Sequence, residues 1–391
     1  MDILKLAKEN SELCTEIRRY LHQYPELSTK EYETTKYLMR EMKAIGLSCH
    51  PFKNTGFYAD IDSTKSKNGM KRVLLRADMD ALGTNEENDI PYKSKKDGVM
   101  HACGHDSHMA MLLTAAKILF ENRSELNNHV RILFQPNEEG LYRPLGSQTV
   151  IDEGVLNGVD TAFGMHVLPI LEKNMIAIND GPMLASADTL NITVRGKSGH
   201  GAAPSECVDP ILVAAQIVSS LQSIVSREIT PMETVVISIC TINGGSKWNI
   251  IPDEVHMTGT VRTFSDEIRN ALPTIISRVV ENIGSAYRAD AKCDYIFTNK
   301  PVINNKHCSD IAKESAIELF GNKSISDIKK VMFSEDFSEY GHIVPSCFCL
   351  LGVGNKDKGI NTMLHNSKFM LDEEAMINGI AMHIAYVQNY K

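Results

Sequence analysis

Apolar residues follow two alternating patterns along the first part of the chain. Residues 3–22 and 31–45 place them at helical spacing, and Ser28-Thr29 opens the second helix while Gly46 closes it. Between them His22-Gln-Tyr-Pro-Glu26 reads as a turn with a rigid proline. The runs Val73-Leu-Leu-Arg-Ala77, Val130-Arg-Ile-Leu-Phe134 and Asp160-Thr-Ala-Phe-Gly-Met165 are short and apolar, as buried parallel strands are. Helical spacing returns at Met109, Leu112, Leu113, Ala116, Leu119 and Phe120, behind Asp106-Ser107 as the N-cap, and again over 146–153. Strands alternating with helices predict a largely parallel sheet.

From about Ala185 the pattern changes. Residues 189–195 alternate as a half-exposed strand, and Asp209-Pro210 opens a helix over 211–225. Strands follow over 234–239 and 255–262, then a helix from Ser265-Asp266 to Tyr287, then a strand over 291–297. Strand-helix-strand-strand-helix-strand is the ferredoxin-like order. After Pro301 the first pattern resumes with a helix over 309–320, a short helix starting at Ser334-Glu-Asp-Phe337, the apolar strand Cys347-Phe-Cys-Leu-Leu351 and a closing helix over 373–389. The prediction is a parent domain in two parts, 1–184 and 300–391, around an insert over 185–299. Trp248 and Tyr287 are read as packing residues.

The 391 residues suffice for two such domains, and 43% hydrophobic with 23% charged residues is ordinary globular composition. A net charge of -8 argues against nucleic acid and anionic membrane as partners. Nine scattered cysteines, with no signal-peptide core behind Met1-Asp-Ile-Leu-Lys5 and no run of transmembrane length, predict a reduced, cytoplasmic protein.

Chemistry concentrates at the loops after the predicted strands, where open α/β sheets bind ligands. Cys103 and His105 flank Gly104 at a helix start, a position that lowers a thiol pKa and favours the metal-binding thiolate. With Glu139, His166 and His365 they make five candidate ligands, more than one tetrahedral ion takes. Two divalent ions sharing a ligand fit them, and zinc and manganese both suit the donor set. Glu138 adjoins Glu139 and points the other way, so one acid can bind metal while its neighbour serves as general base. Asp78 and Asp80 fit two roles equally, orienting ligand imidazoles or balancing charge. In the insert, His200 in Gly199-His-Gly-Ala-Ala-Pro204 could donate to an oxyanion or be a surface imidazole. Asn249 and Arg262 could hold a substrate carboxylate, and Arg262 could equally be an exposed charge.

At these residues the chain resembles the aminoacylase/carboxypeptidase family of two-metal peptidases, in its amidohydrolase branch of hippurate hydrolases, N-acyl-amino-acid amidohydrolases and auxin-conjugate hydrolases. The resemblance covers nearly the whole chain. It rests on Arg76-Ala-Asp-Met-Asp-Ala81, His101-Ala-Cys-Gly-His-Asp106, Gln135-Pro-Asn-Glu-Glu-Gly140, Gly164-Met-His166, Gly199-His-Gly-Ala-Ala-Pro204, Glu335-Asp-Phe337 and Leu364-His365. It implies that Cys103, His105, Glu139, His166 and His365 bind two metals, with Cys103 the bridge and Glu138 the base. It implies an α/β metallohydrolase domain with a mostly parallel sheet, and an inserted ferredoxin-like α+β lid that also forms a homodimer and carries His200, which reaches the partner subunit's site. The chain departs from the family at Gly83, where proline is usual, at Leu141-Tyr-Arg-Pro-Leu145, where glycines are usual, and at Asn366, where serine is usual. The function expected is cleavage of the amide of N-acyl amino acids, with short peptides the nearest alternative substrates. The same residues leave two other readings open, a hydrolase with Cys103 as nucleophile and a non-catalytic binding protein.

Overall fold

The apolar run at Val73 forms the strand Arg72–Asp78, buried from Val73 onward because parallel strands flank it on both sides. The computed structural model describes residues 1–65, 69–140 and 144–391. Contacts divide the chain into one unit of Met1–Met183, Ile303–Lys329 and Asp336–Lys391, and a second of Leu184–Val302 with Lys330–Glu335.

In the first unit the sheet order is Cys49–Pro51, Phe57–Ile61, His129–Gln135, Arg72–Asp78, Thr161–Glu172, Ser346–Gly354, Ile176–Ala177. The four inner strands pair in parallel, and the pairings at both edges are antiparallel. The sheet is therefore mixed, which corrects the mostly parallel expectation. Its edge strands Cys49–Pro51 and Ile176–Ala177 are too short to carry a readable period. The helix His105–Glu121 is buried on nearly every side, and the helices Ser11–Gln23, Tyr32–Ile45 and Met376–Asn389 pack against it.

Several local expectations change. The helix expected over 3–22 is two, Ile3–Glu9 and Ser11–Gln23, because the Asn10 side chain donates to the Leu6 carbonyl and ends the first. Ser28-Thr29 does not cap the next helix. Glu31 takes the N-cap position, and the Ser28 hydroxyl donates instead to Asp80. Asp106-Ser107 is not a cap either, since His105 already begins the helix after Gly104, and Asp106 is buried against Arg18. Phe337, not Ser334, precedes the short helix Ser338–Gly341.

The second unit has an antiparallel sheet in the order Val235–Gly244, Glu254–Thr263, Ala187–Arg195, Asp290–Asn299. The helices Pro210–Ser223 and Asp266–Ala286 pack on it over a core that includes Leu190, Ile217, Val255, Met257, Leu272 and Ile276. Trp248 and Tyr287 are not packing residues: they are 97% and 39% exposed. Trp248 sits in the turn after the strand Val235–Gly244, whose last residues are themselves exposed. Among the described residues no helix is long and apolar enough to cross a membrane.

One buried ion pair anchors this unit. Asp188 accepts from Arg269 Nε and Nη2 at 2.9 and 2.7 Å, from Tyr295 Oη at 2.8 Å and from the Thr298 amide at 2.9 Å. Removing one partner of such a pair leaves a buried charge uncompensated. Arg269→Met is expected to destabilise the unit by about 3–5 kcal/mol. Hydrogen exchange under urea should show amides 254–263 losing protection while amides 72–78 keep theirs. Equal protection in both proteins would remove the anchoring role.

Candidate active site

Tight backbone turns bring the polar residues together. The strand His129–Gln135 runs into Pro136-Asn-Glu-Glu-Gly140, and Asn137 takes φ 56° there, so the chain turns sharply before the two acids. Gly104 caps the helix His105–Glu121 at φ 87°, and a Cβ at that position would lie 2.4 Å from Val167 Cγ2. Cys103 thus sits just outside the helix and His105 just inside it. His365 takes φ 63°, with its amide held 2.8 Å from the Ala102 carbonyl. His166 lies within the long strand Thr161–Glu172 rather than at its end. It stays paired with Leu350 on one side, while pairing with the strand Arg72–Asp78 stops at Gly164.

The thiol of Cys103 lies between two imidazoles, 3.3 Å from His166 Nε2 and 3.3 Å from His365 Nε2. His365 Nε2 is also 3.1 Å from Glu139 Oε1. Two convergent donor groups result, Cys103 with His105 and His166, and Cys103 with Glu139 and His365. Glu138 joins Glu139 and His105 in a third. His105 Nδ1 donates to the Asp80 carbonyl at 2.9 Å, and His166 Nδ1 donates to the Val167 carbonyl at 2.8 Å. A carbonyl only accepts, so His166, and His105 once its ring is neutral, present Nε2 as a lone pair. His105 Nε2 is buried without a hydrogen-bond partner among the described residues, 3.7 Å from Asp78 Oδ2 and 4.0 Å from Glu139 Oε1. An orphaned buried nitrogen facing two carboxylates, beside a thiol and two more imidazoles, fits divalent cations.

The electrostatics agree. Burial opposes charge on His105, but Asp78, Asp80 and Glu139 outweigh it and raise its pKa to about 10, the mark of a cation-attracting site. Burial, with His108 nearby, holds His166 well below its ordinary value, so its ring is neutral. Burial, then Glu139 and Glu138, push the Cys103 thiol well above its ordinary range. That reverses the lowering expected from the helix start, and the thiol needs a bound cation to ionise. A protonated, buried thiol is a poor nucleophile, which weighs against the cysteine-hydrolase reading.

Asp80 reaches His105 through its carbonyl and also accepts from the Glu139 amide at 2.8 Å and from Ser28 Oγ at 2.6 Å. Asp78 lies 3.7 Å from His105 Nε2 and pairs with Arg76 Nη1 at 2.7 Å. Sequence reasoning missed His108, although an imidazole one turn after His105 was a readable signal. Its Nδ1 donates to Asp78 Oδ1 at 2.6 Å and its Nε2 accepts from the Val167 amide at 3.0 Å, so it ties the Asp78 strand to the His166 strand. The partners of Arg76 were missed as well: its Nε donates to Gln135 at 2.9 Å and its Nη2 to Asp336 at 3.1 Å. Leu141, Tyr142 and Arg143, part of the departure after Glu-Glu-Gly, lie outside the described residues.

His200, Asn249 and Arg262 belong to the second unit. The short strands Gly199–His200 and Ile250–Ile251 pair, and the Gly201 amide donates to the Asn249 carbonyl at 2.9 Å, which sets His200 beside Asn249. His200 is exposed, and its Nδ1 accepts from the Ala202 amide at 3.0 Å. Arg262 is half-buried on the strand Glu254–Thr263.

Comparison with known proteins follows the same lines. N-acetylcysteine deacetylase of Bacillus subtilis is 40% identical over 362 residues, 92% of either chain. Thermostable carboxypeptidase 2 of Saccharolobus solfataricus is 37% identical over 381 residues, 96% of this chain and 95% of that one. Among solved structures, the Bacillus subtilis YXEP protein, described as a dinuclear metal-binding peptidase, superposes with a TM-score of 0.84 at 34% identity, covering 97% of this chain and 98% of that one. The model of peptidase family M20/M25/M40 matches residues 74–389, and the chain belongs to that family of hydrolytic enzymes.

Proposed function

We propose that the protein is a two-metal amidohydrolase that cleaves the amide bond of N-acyl amino acids. The observation that carries this reading is the Cys103 thiol set between two donor groups, with Glu138 and Glu139 beside them. Cys103, His105 and His166 would hold one divalent ion, and Cys103, Glu139 and His365 the other. The mixed sulfur, nitrogen and oxygen set suits zinc or manganese. Bound ions supply an activated water and draw charge from the acyl carbonyl. Glu138 takes the proton released and returns one to the leaving amine. Asp80 and Asp78 keep the His105 ring oriented. The deacetylase relative supports removal of an acyl group from an amino acid. The carboxypeptidase relative supports a second reading, in which the same groups act on the amide of a short peptide.

The second unit completes the proposal as a lid and dimerisation domain. His200 donates a hydrogen bond to the developing oxyanion. Asn249 and Arg262 receive the substrate carboxylate. Burial lowers the pKa of the Arg262 guanidinium, with Asp188 opposing, so its charge gains by meeting an anion. Ile211, Leu212, Ile242, Trp248 and Ile250 are exposed apolar residues of this unit and support pairing with a second copy.

A hydrolysis screen of N-acetyl, N-benzoyl and long-chain acyl amino acids against dipeptides, with metal content measured, tests the function. Turnover of dipeptides alone would favour the second reading, and activity that survives a chelator would overturn both. Cys103→Ala is expected to lose metal and activity together, and full occupancy by both ions in that variant would remove the shared-ligand role. Glu138→Gln should keep fold and metals while turnover falls by about two to four orders of magnitude. A near wild-type rate would exclude it as the base. His200→Ala should keep metals and dimer but lose turnover about 100- to 1000-fold. Mixed dimers of His200→Ala and Glu138→Gln chains should regain activity if His200 acts across the dimer, and verified mixed dimers without recovery would exclude that.

A further inference from the structure

Glu31 is a fully buried carboxylate outside the metal-ligand set, and three donors converge on it. Its Oε1 accepts from the Asn137 amide at 2.8 Å and the Thr29 amide at 3.0 Å, and its Oε2 accepts from Thr55 Oγ1 at 2.8 Å. Two of these donors are backbone amides of non-glycine residues in the left-handed region, Thr29 at φ 66° and Asn137 at φ 56°. Two residues past Asn137, the Glu139 amide donates to Asp80 at 2.8 Å, and Asp80 is in turn held by Ser28 Oγ at 2.6 Å. The peptide Asn137-Glu-Glu139 is therefore gripped at both ends by carboxylates, and both grips trace to residues 28–31. Further bonds fix that segment. The Ala81 amide donates to the Glu26 carbonyl at 2.8 Å, and the Thr34 amide donates to Glu26 Oε2 at 2.8 Å.

We propose that Glu31 is a positioning residue for the two acids of the site: by holding the Asn137 amide it fixes the turn that aims Glu138 and Glu139. The inference rests on the metal-centre reading above. Glu31 touches neither substrate nor ion and acts through the backbone of residues 137–139. Burial, and then Asp80, push its carboxyl up to about 7, while the donors from Thr55 and Asn137 pull the other way. An apolar residue at this point would carry no such desolvation. It would leave the Asn137 and Thr29 amides without their acceptor.

The test compares Glu31→Ala and Glu31→Gln with the wild-type chain, and with Leu38→Val as a core truncation on the same helix. The readouts are amide exchange of residues 135–140 in metal-free protein, Mn²⁺ or Zn²⁺ affinity by chelator competition, and turnover. Glu31→Ala should exchange faster at 137–139 and bind metal about 10- to 100-fold more weakly. At saturating metal kcat should fall while KM stays within about threefold. Glu31→Gln keeps one acceptor oxygen for the Asn137 amide and should fall between the two. Leu38→Val should lose thermal stability without moving exchange or metal affinity. Wild-type exchange and metal affinity in Glu31→Ala would overturn the proposal. Should that variant not fold, wild-type values in Glu31→Gln would do so. Exchange and affinity that shift as expected, in a protein that cleaves no N-acyl amino acid, would refute the substrate reading alone.

Discussion

A buried guanidinium must find acceptors, and Arg76 is fully buried at the centre of the sheet. It draws on Asp78 of its own strand, Gln135 of the next strand and Asp336 from the distant C-terminal part of the chain. Gln135 donates to both oxygens of Asp336 and accepts from Tyr340 Oη at 2.6 Å, and the Ser147 amide closes on Asp336 at 2.8 Å. Losing either side of such a network leaves the other charged and unsolvated, so its members hold or fail together. The candidate site hangs from it. Asp78 passes the constraint to His108 and faces His105, while Gln135 ends the strand that turns into Glu138 and Glu139.

That dependence explains what the sequence made legible. Glu139 stood out because it lies in a short polar break after an apolar run, and Cys103 and His105 because they meet at a helix start, whereas His166 lies inside its strand. Two strands of the second unit were readable from their alternation, 189–195 and 255–262, which gives one wet and one packed face. The mixed sheet was read only in part: edge strands of two or three residues leave no period, and the alternating strand Phe57–Ile61 does not show in its sequence which way it pairs.

Caps and partners were illegible for a different reason. Ser28, Thr29, Asp106 and Ser107 are all good cap residues by type, and type was all that was available. Two of these side chains instead satisfy groups remote in sequence: Ser28 serves Asp80, and Asp106 serves Arg18 and His22. A local preference worth about 1 kcal/mol yields to a buried charge that would otherwise stand alone. Trp248 failed in the opposite direction. Its size argued for burial, but its turn follows the exposed end of a strand, where no core reaches it.

The left-handed residues extend this logic to the site itself. Thr29, Asn137 and His365 are three of the five non-glycine residues with positive φ among those described, and all three belong to the turns that build the site. Each such conformation costs of the order of 1–3 kcal/mol and persists only where its surroundings over-determine it. Here each amide has an assigned acceptor, Glu31 for Thr29 and Asn137, and the Ala102 carbonyl for His365. Ala102 is the neighbour of Cys103, so the bond that holds His365 in its strained turn also sets its ring against the thiol. Strain therefore gathers where imidazole, thiol and carboxylate must meet from segments far apart in the chain, and regular helix or strand geometry would have kept them apart.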